Sequence, residues 1–303
     1  MEQKQTTGNA NRITREYFDS LLIEMRHIDA VIPDTSMVLY GETFSSPIMT
    51  AALSHLEKCH KDGMAELARG AKAANAVMWA GMGDEAELER ITAAGAKTVY
   101  IIKPHKDDDI IFRKIAHAEK CGCIAVGMDI DHAYNGRGEY DVVLGEPMTG
   151  KTLDEIKSFV NATNLPFIIK GVLSVHDALK CADAGVGGIV VSHHAGMMDF
   201  AIPPLMVLPE IIKAIDGEMP VFVDCGVESG YDVFKALALG AAAVSVGRAL
   251  MPPLSENGAE GVKKTIKNMT AQLAGVMART CSADLSQIER SMVRHNSLPR
   301  SFR

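Results

Sequence analysis

FIIKGV (167–172) and GIVVSHHAG (188–196) lie about one crossover apart, and their reading decides the fold. Each begins as a short apolar run and closes on a polar side chain, Lys170 on the first and His194 on the second. Two adjacent parallel strands carry both groups to the same rim of a sheet. Six further runs share the pattern: PIMTAAL (47–53), AVMWAG (76–81), TVYIIK (98–103), CIAVGMDI (123–130), PVFVDCG (220–226) and AVSVGR (243–248). Runs that are apolar at consecutive positions suit strands buried on both faces. Helix-like segments separate them, several ending in glycine, as in DEAELERITAAG and SVHDALKCADAG. Eight alternations of strand and helix predict an α/β fold, a single (β/α)8 TIM barrel.

About 43 residues separate Cys123 from Pro166, where the other spacings are shorter. The extra segment, HAYNGRGEYDVVLGEPMTGKT, predicts a long active-site loop or lid after the fourth strand. A helical tail, GAEGVKKTIKNMTAQLAGVMART, follows the eighth. ITREYFDSLLIEMRHI (13–28) has helical spacing and leads into the domain. The expected organisation is a flexible N-terminus over 1–12 and one barrel over 13–303.

The 303 residues, 47% of them hydrophobic, supply a core for one barrel of about 250 residues. A net charge of -7 without a long basic run argues against nucleic acid as a partner. No apolar run reaches membrane-span length, and MEQKQTTGNANR has no signal-peptide core. The six cysteines form no CxxC pair, which suits reduced thiols and a cytoplasmic location.

In a barrel the carboxyl ends of the strands form the active face, and the seventh and eighth commonly hold a phosphate. Here those ends read DCGVESG and VGRAL. Gly226 and Gly247 permit close backbone approach, and Arg248 can clamp a dianion. Lys170 at the mouth suits a Schiff base, a phosphate contact or a fixed charge beside a developing anion. Asp129, ending GMD, can orient His194 and stabilise its imidazolium. No metal site is expected: His55, Cys59 and His60 fall in one loop without a strand-borne partner, and adjacent His193 and His194 face opposite ways on a strand.

The stretch from Pro166 to Arg248 resembles the FMN-dependent 2-hydroxy-acid dehydrogenases and oxidases, the glycolate and lactate oxidase group. The motifs are Lys-Gly after strand five, Ser-x-His-x-Gly after strand six, Asp-x-Gly-Val after strand seven and Gly-Arg after strand eight. Weaker likeness covers nearly the whole chain. The resemblance implies FMN at the carboxyl rim, with Lys170 beside the flavin, His194 as base and Asp129 as its carboxylate partner. It places Asp224, Gly226, Gly247 and Arg248 at the ribityl and phosphate site, Ala51 and Ala52 against the ring, and Ser192 just before the catalytic loop as a further cofactor-binding residue. It also implies a small-molecule substrate, an electron acceptor left open among oxygen, a quinone and a protein, and a homo-oligomer, a tetramer in the family.

The departures concern the substrate. The family's SNHGGR motif, whose arginine grips the substrate carboxylate, reads SHHAGMM here, with Met197 in the arginine's place. Ile101 and Lys103 replace a glutamine and a tyrosine, Ala80 a serine, Gly127 a threonine, and Glu228-Ser229 an arginine pair. Arg137, Lys103 or His105 are the candidates to restore positive charge. Oxidation of a 2-hydroxy acid or related small alcohol is the leading reading. The rivals are a flavin-free aldolase or isomerase acting on a phosphorylated substrate, and an FMN-binding homologue without hydroxy-acid turnover.

Overall fold

The computed structural model describes residues 9–296. Each of the eight apolar runs supplies one strand: β1 (Ile48–Thr50), β2 (Met78–Ala80), β3 (Thr98–Ile102), β4 (Ala125–Asp129), β5 (Phe167–Val172), β6 (Gly188–Val191), β7 (Val221–Val223) and β8 (Ala243–Val246). Parallel pairing runs β1-β8-β7-β6-β5-β4-β3-β2. Thr50 N donates to Val77 O at 3.1 Å, and a parallel bridge joins Leu53 to Ala80, so the seam between β1 and β2 is closed. A closed ring leaves no sheet edge to protect.

Helices α2 (Gly63–Ala73), α3 (Glu85–Ala93), α4 (Asp108–Lys120), α5 (Leu153–Asn161), α6 (Val175–Asp183), α7 (Pro204–Ile215) and α8 (Gly230–Ala238) alternate with the strands. Several starts are written in the sequence. Thr152 and Glu155 form a reciprocal capping box at α5, and Ser174 and Ser229 cap α6 and α8.

Alternation along the strands positions the site. Ile101, Ala125 and Ile168 pack with Met49, Trp79 and Phe222 in one buried cluster inside the ring. A hairpin of Met37–Leu39 and Glu42–Phe44 adds Met37, Leu39 and Phe44 to it. The same period of two, continued to the carboxyl ends, turns Lys103, Asp129 and Lys170 inward. Lys170 lies directly opposite Asp129 in the β4–β5 register.

Two sequence expectations change. The N-terminal helix, α1, spans Asn9–Ser20 rather than 13–28, because Leu21–Ile23 leaves it to pair antiparallel with Val293–His295. Residues 9–12 thus belong to α1 and not to a flexible terminus, and residues 1–8 lie outside the described range. The expected helical tail is present. α9 (Met251–Ala278) breaks at Gly258, where Glu66 accepts from Ala259 N, and the chain then returns to the strand pair with Leu21–Ile23. The loop after β4 is no free lid. Its small hairpin (Val142–Val143 with Glu146–Pro147) is tied to the segment after β3 through Lys106 N to Pro147 O (2.8 Å) and Thr149 N to Pro104 O (2.9 Å).

Gly127 on β4 lies opposite Ile168 on β5. A Cβ there would stand 2.2 Å from the Ile168 carbonyl oxygen, so no side chain can be accommodated without moving β5. Gly127→Ala is expected to cost about 1–3 kcal/mol by overpacking. Denaturant unfolding with an unchanged midpoint would show that β5 yields freely.

Candidate active site

The rim of the barrel carries a buried ion cluster. Asp129, at the end of β4, receives Lys170 Nζ on Oδ1 at 2.9 Å and Lys103 Nζ on Oδ2 at 2.7 Å. All three side chains are buried. Desolvation of this kind is tolerated only when each charge is matched. Burial works against the Asp129 carboxylate, yet Lys170, His194 and Lys103 hold it well below its ordinary range. Burial likewise works against the Lys170 ammonium, but Asp129 and Asp224 outweigh it and its proton is held more tightly than usual. Lys103 goes the other way. Burial lowers its proton affinity, Asp129 offsets only part of this, and Lys170 repels it.

His194 joins the cluster from the loop after β6. The loop turns back sharply, with His194, Ala195 and Gly196 all at positive φ (49°, 57° and 87°). Ser192 Oγ accepts from His194 N at 3.0 Å and so fixes the turn. His194 Nδ1 lies 2.8 Å from Asp131 Oδ1, 3.3 Å from Asp129 Oδ1 and 3.1 Å from Lys170 Nζ. Burial and the Lys170 charge push its proton affinity down. The two carboxylates prevail, and the net shift is upward. The expected Asp129 contact is present, and Asp131 adds a second, nearer carboxylate that the sequence reading did not include. Asp129 anchors the two lysines and gives His194 the longer contact.

His193 faces away, as strand alternation requires. Its Nε2 lies 2.7 Å from Thr14 Oγ1 on α1, and its Nδ1 accepts from Gly196 N at 3.0 Å. Helix α1 is tied further by Asn11, whose Nδ2 donates to Ala195 O at 2.5 Å while its Oδ1 accepts from Arg248 Nη2 at 2.8 Å.

Beside this cluster lies a cavity of about 390 Å³, within the usual range for a small-molecule site. Lys170, Ala51, Ala52, Asp224, Gly226, Gly247 and Arg248 all line it, so seven of the eight residues expected at the cofactor site are gathered in one wall. Ser192 is the exception. It is buried behind His194, with its hydroxyl against that residue's backbone and the Cys225 thiol.

The chemistry of this wall fits FMN. Arg248 offers a guanidinium to a phosphate at the end where Gly226 and Gly247 expose backbone. A Cβ at Gly247 would stand 3.2 Å from Ala51 Cβ and narrow the cavity. Ser245 Oγ is buried in the same wall without a partner, a free hydroxyl for a polar ligand. Glu228 also lines it, but Arg15 reaches to within 4.0 Å of its carboxylate.

None of the expected replacements for the carboxylate clamp offers a free cation beside His194. Lys103 is committed to Asp129. Arg137 is exposed on a turn of the loop after β4, where its backbone N–H donates to Asn135. Met197 is 43% exposed and lies outside the cavity lining. His105 is buried near Lys114 and Lys151, and burial pushes its pKa down to about 4, so it stays neutral. Asp131, His132 and Asp141 are the site residues that sequence reasoning missed. The run Asp129-Ile-Asp-His132 at a strand end, two acids and a histidine in four residues, is a signal that could have found Asp131 and His132; none marks Asp141. Asp129, Asp131, His132 and His194 bring their ligating atoms within 4.8 Å of one another, yet both oxygens of Asp129 already meet ammonium groups.

Asp129→Asn would leave two buried ammoniums without this counter-charge, and a loss of about 3–5 kcal/mol is expected from equilibrium unfolding at neutral pH. The folded carboxyl pKa is depressed, so the native contribution is full above its unfolded value of about 4 and is lost progressively as pH falls from there through the lower folded value. The stability gap between the two proteins should therefore close in acid. A gap that is constant across that range would contradict the pairing.

The comparisons agree with this geometry. The family model described as FMN-dependent dehydrogenase matches residues 1–151 and 142–295. Glycolate oxidase of Spinacia oleracea is 30% identical over 96% of this chain and 88% of its own. A peroxisomal (S)-2-hydroxyacid oxidase of Arabidopsis thaliana is 31% identical over 90% and 83%. Among solved structures, a mandelate oxidase variant with a monooxide FMN adduct superposes with a TM-score of 0.86 at 28% identity, covering 94% of this chain and 90% of that one. The chain belongs to the FMN-dependent dehydrogenase family, and FMN is its cofactor.

Proposed function

We propose that this chain oxidises the carbinol carbon of a 2-hydroxy acid or a related small alcohol, with His194 as the base. The observation that carries the reading is His194 itself, beside the cofactor cavity with Nδ1 held at 2.8 Å by Asp131. That contact keeps a proton on Nδ1 and leaves Nε2 to take one from the substrate hydroxyl. Asp131 and Asp129 stabilise the imidazolium that results. FMN supplies the two-electron acceptor. Lys170 presents a fixed positive charge in the cavity wall, and Arg248 holds the phosphate end. A Schiff-base reading is disfavoured, because a nucleophilic lysine must shed its proton and Lys170 retains one.

The relatives are named for 2-hydroxy acids, which supports that class of substrate. The immediate surroundings of His194 narrow it. The two cations that reach this cluster, Lys103 and Lys170, are both paired with Asp129, and the buried Asp131 Oδ2 has no partner. An acceptor oxygen beside the base repels a small free carboxylate. Each charge-assisted bond that is missing removes about 1.5–3 kcal/mol, roughly ten- to a hundred-fold in rate. The favoured substrate is bulkier or less acidic next to the reacting carbon than glycolate or lactate. The oxidase names favour dioxygen as acceptor, and six free thiols suit a reducing, cytoplasmic compartment. Ile28 and Ile32 are 88% and 96% exposed, which supports self-association. Sedimentation at micromolar concentration tests that point.

Anaerobic reduction of the bound flavin by a panel of 2-hydroxy acids, their amides and simple diols tests the reading. One or more should bleach the flavin, and glycolate and lactate should do so slowly. Fast, saturable reduction by lactate would overturn the narrowed substrate class, and no reduction by any member would favour an FMN-binding homologue without this activity. His194→Asn should keep the yellow colour and slow reduction by about 10²–10⁴-fold. Arg248→Ala should weaken FMN binding in a fluorescence titration while leaving the fold intact; an unaltered dissociation constant would remove Arg248 from the phosphate site.

A further inference from the structure

The loop after β4 places a second imidazole against the base. His132 lies in the short turn Ile130–Ala133, and its Nε2 is 3.2 Å from His194 Nε2. The rings meet edge to face, 85° apart, with centroids separated by 4.4 Å. On its far side, His132 Nδ1 lies 3.3 Å from Asp141 Oδ2. Asp141 is held in turn by the loop hairpin, where Met148 N donates to its carbonyl. Asp131, His194, His132 and Asp141 thus form one line from the buried end of β4 to the half-exposed loop.

We propose that His132, oriented by Asp141, is the second station of a proton path that empties the base between turnovers. The inference rests on the assignment of His194 as base, and its chemistry follows from counting protons. With Nδ1–H of His194 held by Asp131 and Nδ1–H of His132 held by Asp141, both Nε2 atoms would face each other as lone pairs. At 3.2 Å that is repulsive unless one proton lies between them. A substrate hydroxyl that reaches His194 Nε2 displaces this contact and leaves its proton there. When product departs, the contact re-forms, and Nε2–H of His194 donates to Nε2 of His132. The imidazolium of His132 then releases its other proton from Nδ1, through Asp141, to water; its remaining Nε2 proton bridges the two rings until the next substrate parts them, when exchange with water moves it to Nδ1 and frees Nε2 to accept again. One proton enters at the substrate oxygen and one leaves at the loop, with no change in electron count.

The surroundings hold the proton on His194 and leave His132 with the lower proton affinity, so the outward step is uphill and is drawn forward by release to water at the half-exposed loop. Lys170 from β5, Lys103 from β3 through Asp129, and the carboxylates of Asp129 and Asp131 all face His194, whereas His132 looks out to Asp141. Burial and the charges of Lys103 and His194 lower the proton affinity of His132, so it is ordinarily neutral and able to accept.

Two substitutions and two readouts test the path. His132→Phe keeps the ring shape without nitrogen, and His132→Gln keeps a polar contact that cannot carry a proton through. In ¹⁵N-histidine spectra of the native FMN-loaded protein, the Nε2 signals of His132 and His194 should move together in one step. In His132→Phe the His194 step should move to lower pH, because its Nε2–H has lost an acceptor. Independent titration of the two rings, or an unmoved His194 step, would overturn the proposal whatever the substrate proves to be. With a substrate that reduces the flavin, both variants should lose about tenfold or more in steady-state turnover, and added imidazole buffer should restore it by carrying the proton in place of His132. Turnover that is unimpaired, or impaired but insensitive to buffer, would reduce His132 to a packing role.

Discussion

Everything at the rim hangs on one buried contact, Asp129 between two lysines. Three charges in a dry barrel mouth persist only if they satisfy each other, and the β4–β5 register guarantees that Lys170 meets Asp129. From this contact follow the fixed positive wall of the cofactor cavity and a carboxylate within reach of His194. The cluster is also self-limiting. Because Lys103 and Lys170 both spend their charge on Asp129, neither is left over to grip a substrate carboxylate.

The barrel was legible because consecutive apolar runs and glycine-ended helices repeat eight times, a pattern that few other folds produce. The rim was legible where chemistry sits in the strands. Lys170, Asp129, Asp224, Gly226, Gly247 and Arg248 fall where strand ends and motifs place them, and seven of the eight strand ends contribute to one wall or one cluster. Lys103 could have been read the same way. It stands two residues beyond inward-facing Ile101, so alternation alone sends it to Asp129, but its polarity invited a role in substrate binding instead.

What the sequence concealed depends on loops and termini, where no period applies. The length of the β4 loop suggested a lid. Its two cross-links to the segment after β3 make it a fixed arm that delivers His132 and Asp141 to the base. The N-terminal helix was read as longer and later, because nothing local announces that residues 21–23 pair with a strand 270 residues away. The loss of the arginine at Met197 was visible in the sequence, and the structure adds the reason it matters: an acidic side chain, Asp131, occupies the neighbourhood of the base instead of a replacement cation.

The most direct measurement is the midpoint potential of FMN bound to this chain and to Lys170→Met, by spectroelectrochemical titration with flavin stoichiometry determined on the same samples. Lys103 remains to neutralise Asp129 in the variant, so the charge beside the cofactor is what changes. One FMN per chain, and a lower potential once the ammonium is gone, is the expected result, since a fixed positive charge favours the electron-rich reduced flavin. A chain that takes up no FMN, or a potential that does not move, would contradict the placement of the cofactor against the Lys170–Asp129 pair.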